Sequence, residues 1–219
     1  MNIGLFGGSF DPPHHGHLIV AQDAAVALRL DRILFMPAAL PPHKQGRVMT
    51  APDLRARMLE LALAGDDRFA CSRLELDRPG PSYTVDTLDR LTADQPDARW
   101  TLLLGADQYA DFQTWRRPDR IRELASVAVL TRGGRRTGWA QRQAAGPAAR
   151  HDPSRTAPVV EQLSNGDVRV AVTRIDISST VLRQRVAAGH PIRYLVPPPV
   201  EAFIFEQRLY HRNGSTVTG

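Results

Sequence analysis

The order of apolar and polar positions along the chain predicts strands alternating with helices. Asn2 to Phe6 is a short apolar run cut off by Gly7-Gly8, the pattern of a strand entering a tight glycine turn. Over residues 16–30, Leu18, Ala21, Ala25 and Leu28 recur at spacings of three and four, the period of a helix with one buried face. Arg32 to Met36 predicts a second buried strand stopped by Pro37, and the proline-rich stretch from Pro37 to Val48 predicts a loop. Thr50-Ala51-Pro52-Asp53 then opens a helix, with Thr50 as its N-cap, an acidic residue three positions on and proline in the first turn.

Farther along, Phe69 to Leu76 alternates as a strand and Thr84 to Leu91 reads as a helix. Trp100 to Leu104 is an apolar strand ending at Gly105, a helix follows over Asp119 to Leu124, and Val127 to Leu130 is again wholly apolar. From Thr131 to about Asn165 no period is sustained beyond a short helix near Trp139 to Ala145, which predicts a surface excursion. Val168 to Val172 restores a strand. Ser179 to Ala188 predicts a helix with serine at its start and Gly189 just past its end, and an amphipathic helix spans about Val200 to Leu209. This alternation predicts an α/β fold: a Rossmann-like, open, mostly parallel sheet with helices on both faces and a C-terminal helical segment. Residues 1–219 are expected to form a single domain, with the excursion at about 131–165.

Composition sets bounds on this picture. At 219 residues, 42% of them hydrophobic, the chain can bury a full core without disulfides, and its single cysteine, Cys71, excludes an internal disulfide framework. No apolar run approaches the roughly 20 residues of a bilayer span, and the N-terminus lacks a signal-peptide pattern, so a cytoplasmic location without membrane partners is expected. A formal charge of +5 would ordinarily suggest nucleic acid, but the excess is regional. Ten arginines between Arg116 and Arg155 face three acidic residues, Asp119, Glu123 and Asp152, and the remainder of the chain is slightly acidic. Aromatic interleaving and helix-turn-helix or zinc modules are missing from that region, which argues against nucleic-acid binding as the main function. Lys44 is the chain's only lysine. It is either one surviving surface residue or a compact point charge kept for chemistry that a planar guanidinium cannot do.

The densest chemical signal is Gly7-Gly8-Ser9-Phe10-Asp11-Pro12-Pro13-His14-His15-Gly16-His17, with three of the seven histidines inside four residues. It joins the first predicted strand to the first helix, where open parallel sheets place their ligand crevice. Glycines allow close backbone approach to a polyphosphate, and the helix start near Gly16 offers free N–H groups and a positive dipole end. No cysteine or acidic set accompanies His14 and His17, so zinc finds little support. The block is also neither a G-x-G-x-x-G fingerprint nor a lysine-bearing P-loop.

Gly8-Ser9-Phe10-Asp11-Pro12 and His14-His15-Gly16-His17 resemble the first signature of the nucleotidyltransferase superfamily. Ile177-Ser178-Ser179-Thr180-Val181-Leu182-Arg183 resembles its second. Serine hydroxyls and N–H groups at a helix start, with Arg183 one turn in, make a second anion site on physical grounds alone. Nearly the whole chain apart from residues 131–165 is similar to the bacterial nicotinate-nucleotide adenylyltransferases, with support from Pro41-Pro42-His43-Lys44, Pro81-Ser82-Tyr83-Thr84, Gly105-Ala106-Asp107, Trp115 and Tyr194-Leu195-Val196-Pro197.

The resemblance implies transfer of the adenylyl group of ATP to nicotinate mononucleotide, with Mg²⁺ held mainly by substrate phosphates and no protein metal site. It implies His14, His17, Lys44 and Arg183 as catalytic residues. ATP would be bound by Gly7, Gly8, Ser9, Phe10, His14, His17, Gly105, Asp107, Ile177, Ser178, Ser179 and Arg183. Ser9, His43, Lys44, Ser82, Tyr83, Thr84 and Trp115 would bind the mononucleotide, with Trp115 stacking on the pyridine ring. Without the resemblance, Trp115 could equally be core, and Asp107 a helix cap. Preference for nicotinamide mononucleotide, an acceptor such as phosphopantetheine, and a homo-oligomeric state all stay open at the level of sequence.

Overall fold

The computed structural model describes residues 1–39, 49–132 and 159–211. Seven strands, β1 (Asn2–Gly8), β2 (Arg32–Pro37), β3 (Phe69–Cys71), β4 (Arg99–Gly105), β5 (Ser126–Arg132), β6 (Val160–Gln162) and β7 (Val168–Val172), form one open sheet. Their order is β3-β2-β1-β4-β5-β7-β6. The pairs β1–β4, β4–β5 and β5–β7 are parallel, and β6 adds an antiparallel edge to β7. Around the sheet lie α1 (His15–Leu28), α2 (Pro52–Leu63), α3 (Thr84–Asp94), α4 (Ala106–Ala110), α5 (Pro118–Leu124), α6 (Ser179–Ala187) and α7 (Pro198–Glu206), with a 3-10 turn at Phe112–Thr114. The predicted α/β architecture is therefore the observed one. No helix among the described residues is long and apolar enough to cross a membrane.

Contacts divide the chain into two compact units. The first comprises Met1–Phe6, Ile19–Ile33 and Thr84–Ile175, and the second Gly7–Leu18, Leu34–Tyr83 and Asp176–Gly219. In the first, Ile3, Leu5, Leu102, Leu103, Leu104, Val127, Val129 and Leu130 are buried, the near-continuous apolar strands of a sheet covered on both faces. Gly4 is a packing requirement there, since a Cβ would lie 2.8 Å from Leu30 Cδ1 and 3.1 Å from Leu103 Cδ1.

The described arginines of the basic region are largely neutralised on the spot. Arg116 pairs with Asp86, Arg120 with Asp89 and Glu123, and Arg122 with Asp167. Asp167, only 3% exposed, also accepts from the Tyr109 hydroxyl at 2.7 Å and from Asn165 Nδ2 at 2.9 Å. Burial alone would raise its pKa, but the hydrogen bonds from Arg122, Tyr109 and Asn165 outweigh that and hold it below the usual carboxylate value.

The second unit has its own core of Met58, Leu182, Val186, Ile192, Val196, Val200 and Ile204, which packs α2, α6 and α7 together. Each such aliphatic side chain contributes roughly 1.5–3 kcal/mol by leaving water.

Several local expectations change. The cap of α2 is Ala51, without a side-chain hydrogen bond, because the Thr50 backbone is already engaged: its N–H meets Asp11 Oδ2 at 3.3 Å and its carbonyl meets Arg55 Nε at 2.9 Å. The strand predicted over Phe69 to Leu76 stops at Cys71. Beyond it the chain turns, with Asp77 N–H on Arg73 O and the Arg73 guanidinium held by Asp53 and Asp77, so polar Glu75 is buried while Leu74 and Leu76 are only half-buried. Residues 160–162, assigned to the unpatterned excursion, form β6, an exposed edge strand with no apolar alternation to announce it. The short helix expected near Trp139 to Ala145 lies outside the described residues.

Candidate active site

The glycine-histidine loop leaves β1 and enters α1, and its backbone is pinned from several directions. Phe10 has φ 47° and its side chain is 1% exposed, wedged beneath Gly8 and against Phe35 and His17. A Cβ on Gly8 would lie 2.9 Å from Phe10 Cζ, so this glycine is required by a ring packed on it, whereas the space around Gly7 is open. What Phe10 can offer a nucleotide is accordingly its backbone.

His14 and His17 flank the first turn of α1. The His14 N–H donates to His17 Nδ1 at 3.2 Å and the His17 N–H to His14 O at 2.9 Å, so His17 reaches back as a capping-box side chain does. A backbone N–H can only donate. His17 Nδ1 must therefore be the unprotonated nitrogen, which puts the ring proton on Nε2. The two imidazoles stack with centroids 3.7 Å apart.

The second motif block belongs to the same compact unit and grips this loop directly. Ser178 is the N-cap of α6 and its Oγ accepts from Val181 N–H at 3.2 Å. The Ser179 hydroxyl donates to Pro12 O at 2.9 Å, and Arg183 Nη1 donates to Asp11 O while Nη2 donates to Thr180 Oγ1 at 3.2 Å. Ile177 packs on the core of this unit. A loop and a helix start, each able to receive an anion, are thus fastened together through two consecutive loop carbonyls.

A family profile described as cytidylyltransferase-like matches residues 5–185. A protein of Geobacillus thermodenitrificans named as a probable nicotinate-nucleotide adenylyltransferase is 42% identical over 208 residues, covering 95% of this chain and 85% of the relative. A protein of the same name from Thermus thermophilus is 43% identical over 211 residues, covering 96% and 100%. The chain belongs to the nicotinate-nucleotide adenylyltransferase family. The Plasmodium falciparum nicotinic acid mononucleotide adenylyltransferase, solved in complex with NaAD, shares the fold, with a TM-score of 0.67 at 17% identity over 95% of this chain and 97% of that one.

The remaining residues expected to serve this family's chemistry take up definite positions. Ser82 is buried and its Oγ has no partner among the described residues; Tyr83 follows it, and Thr84 opens α3. Gly105 is the N-cap of α4, its N–H received by Gln108 Oε1 at 3.3 Å, so Asp107 is an exposed first-turn residue and not the cap. Trp115 is half-buried, its ring 5.5 Å from that of Phe112, which in turn lies under Arg122. His43 and Lys44 lie outside the described residues.

Sequence reasoning overlooked Arg55, 0% exposed, and Tyr210. Arg55 shares the buried face of α2 with Met58 and Leu59, at spacings of three and four, and that register is the signal that an arginine there is not a surface residue.

Proposed function

We propose that this chain transfers the adenylyl group of Mg·ATP to nicotinate mononucleotide, giving deamido-NAD and pyrophosphate. The observation that carries the reading is the clamp of α6 on the glycine-histidine loop through Pro12 O and Asp11 O, which holds two anion-receiving elements in one unit. A phosphate oxygen of the mononucleotide attacks the α-phosphorus of ATP, the bond to the bridging oxygen breaks, and pyrophosphate leaves with the electron pair. The nucleophile belongs to the substrate, so the protein's task is alignment and charge stabilisation.

His17 Nε2–H and His14 donate to the oxygens around the α-phosphate. The helix start of α6 at Ser178 and Ser179 and the uncommitted donors of Arg183 receive the β- and γ-phosphates. His43 and Lys44 neutralise the mononucleotide phosphate, and Gly7, with open space around it, and the backbone of Ser9 allow close approach. Gly105 and Asp107 serve the adenosine ribose, while Ser82, Tyr83 and Thr84 offer donors to the pyridine carboxylate and Trp115 stacks on its ring. The unpartnered Ser82 hydroxyl fits a group that awaits a ligand oxygen. Magnesium enters as part of the substrate, which suits an ion that keeps most of its water shell and binds phosphate oxygens. Among the described residues no group of three or more His, Cys, Asp or Glu side chains is arranged to hold it.

Pyrophosphate release with Mg·ATP tests the reading when nicotinate and nicotinamide mononucleotides are compared as acceptors. The acid should be preferred by at least about tenfold in kcat/KM, equivalent to roughly 1.4 kcal/mol. Preference for the amide would overturn the assignment of the acceptor.

A further inference from the structure

Beneath the glycine-histidine loop, in the same unit, lies a buried group that the proposed chemistry does not use. Arg55 is 0% exposed and spends its guanidinium on backbone carbonyls: Nε on Thr50 O at 2.9 Å, Nη1 on Ser9 O at 3.0 Å and Ala38 O at 2.8 Å, and Nη2 on Ala39 O at 3.5 Å. One fork therefore joins the loop, the chain leaving β2 and the chain entering α2. Asp11, 4% exposed, turns its carboxylate inward, where Oδ1 accepts from the Tyr210 hydroxyl at 2.7 Å and Oδ2 from Thr50 N–H at 3.3 Å. The loop is held at Ser9 O by Arg55, at the Asp11 carboxylate by Tyr210 and Thr50, and at Asp11 O and Pro12 O by α6. These residues lie immediately before His14.

We propose that Arg55 and Tyr210 are positioning residues that set the rate of adenylyl transfer by fixing the loop backbone ahead of His14 and His17, without contributing to nucleotide affinity; this rests on the function proposed above. A buried arginine satisfied by neutral carbonyls is a costly way to stabilise a fold, since its desolvation is offset only by well-made hydrogen bonds. Burial indeed pulls its pKa downward, with Asp11 as the main opposing influence. What the fork supplies is geometry: carbonyls of three chain segments held by one planar group, which a lysine cannot reproduce. In-line transfer is sensitive to such geometry, and a misplacement of about 1 Å can cost on the order of a hundredfold.

The test compares wild type with Tyr210→Phe, which removes one hydroxyl and keeps the ring, and with Arg55→Lys, which keeps the charge and loses the fork. Steady-state kinetics with Mg·ATP and nicotinate mononucleotide are measured alongside thermal midpoints. Tyr210→Phe should lower kcat by about three- to tenfold and Arg55→Lys by more than about tenfold, with both KM values within about twofold of wild type. A Tyr210→Phe protein with wild-type kcat, or one whose KM for ATP rises as far as its kcat falls, overturns the proposal, as does an Arg55→Lys protein with wild-type kcat. If Arg55→Lys does not fold, Tyr210→Phe alone decides. A wild-type chain inert with both mononucleotides overturns the functional reading itself, whereas an active wild type with unaffected variants overturns only the positioning role.

Discussion

Arg55, fully buried, and Arg122, partly buried against the buried carboxylate of Asp167, are used in opposite ways. Arg55, in the unit that carries the glycine-histidine loop, gives its donors to the carbonyls of Thr50, Ser9, Ala38 and Ala39, segments far apart in the chain. Arg122, in the other unit, meets carboxylates, the buried Asp167 at 3.0 Å and the exposed Asp119 at 3.9 Å, with Tyr109 and Asn165 completing the cluster around Asp167 and Phe112 beneath the guanidinium. The first arrangement fixes the backbone of the glycine-histidine loop, where the proposed function aligns phosphates. The second closes a charge pair around the Asn165–Gly166 turn between β6 and β7 and acts on stability. A buried charge is thus informative about function according to what it holds, not according to its burial.

Substitutions can separate these two uses. The largest effect is expected for His17→Ala, which removes the Nε2–H donor: kcat should fall by about 10²- to 10³-fold, with the dissociation constant of the mononucleotide changed much less. Binding titrations alongside turnover check this, and an unchanged rate would remove His17 from the chemistry. Lys44→Ala should cost at least about tenfold in kcat/KM, roughly 1.4 kcal/mol. A near wild-type value would return the lone lysine to the surface. The smallest kinetic effect is expected for Asp167→Asn, with kcat/KM within about threefold of wild type but stability lower by about 1–3 kcal/mol, a fall of several degrees in thermal midpoint.

The pH dependence of that last variant has a definite sign. The folded-state pKa of Asp167 is depressed, so its contribution is complete above the unfolded value near 3.9 and is lost as pH falls through the lower folded value. The gap in midpoint between wild type and Asp167→Asn should stay constant from pH 7 down to about 5 and close below about 4. A gap that widens on acidification would contradict the pairing.

Much of this arrangement was legible before any coordinates. The fully apolar runs at β1, β4 and β5 and the three-four spacing of α1 reported their burial directly, because one buried face or two buried sides leave a periodic trace. The two motif blocks were legible as a glycine turn after a strand and as a helix start with serine at its head. Their mutual grip was not: Ser179 to Pro12 and Arg183 to Asp11 join residues more than 160 positions apart, and sequence spacing carries no such information. Gly8 read as room for a ligand, while its neighbour in space is Phe10. Strand β3 was overextended because Phe69 to Leu76 keeps an alternating composition after Arg73 has pulled the chain into a turn. Nothing in the sequence around Asn165 and Asp167 marks the carboxylate as one buried with an arginine from α5, which only tertiary packing brings to it.

The central claim is that this chain moves an adenylyl group and does not merely hydrolyse ATP. ATP radiolabelled at the α-phosphate and, separately, at the γ-phosphate, incubated with Mg²⁺ and nicotinate mononucleotide, tests it most directly. The α-label should appear in the dinucleotide and the γ-label in pyrophosphate, in equal amounts and only when the mononucleotide is present. Release of the γ-label as orthophosphate, or labelled AMP formed without the acceptor, would contradict it.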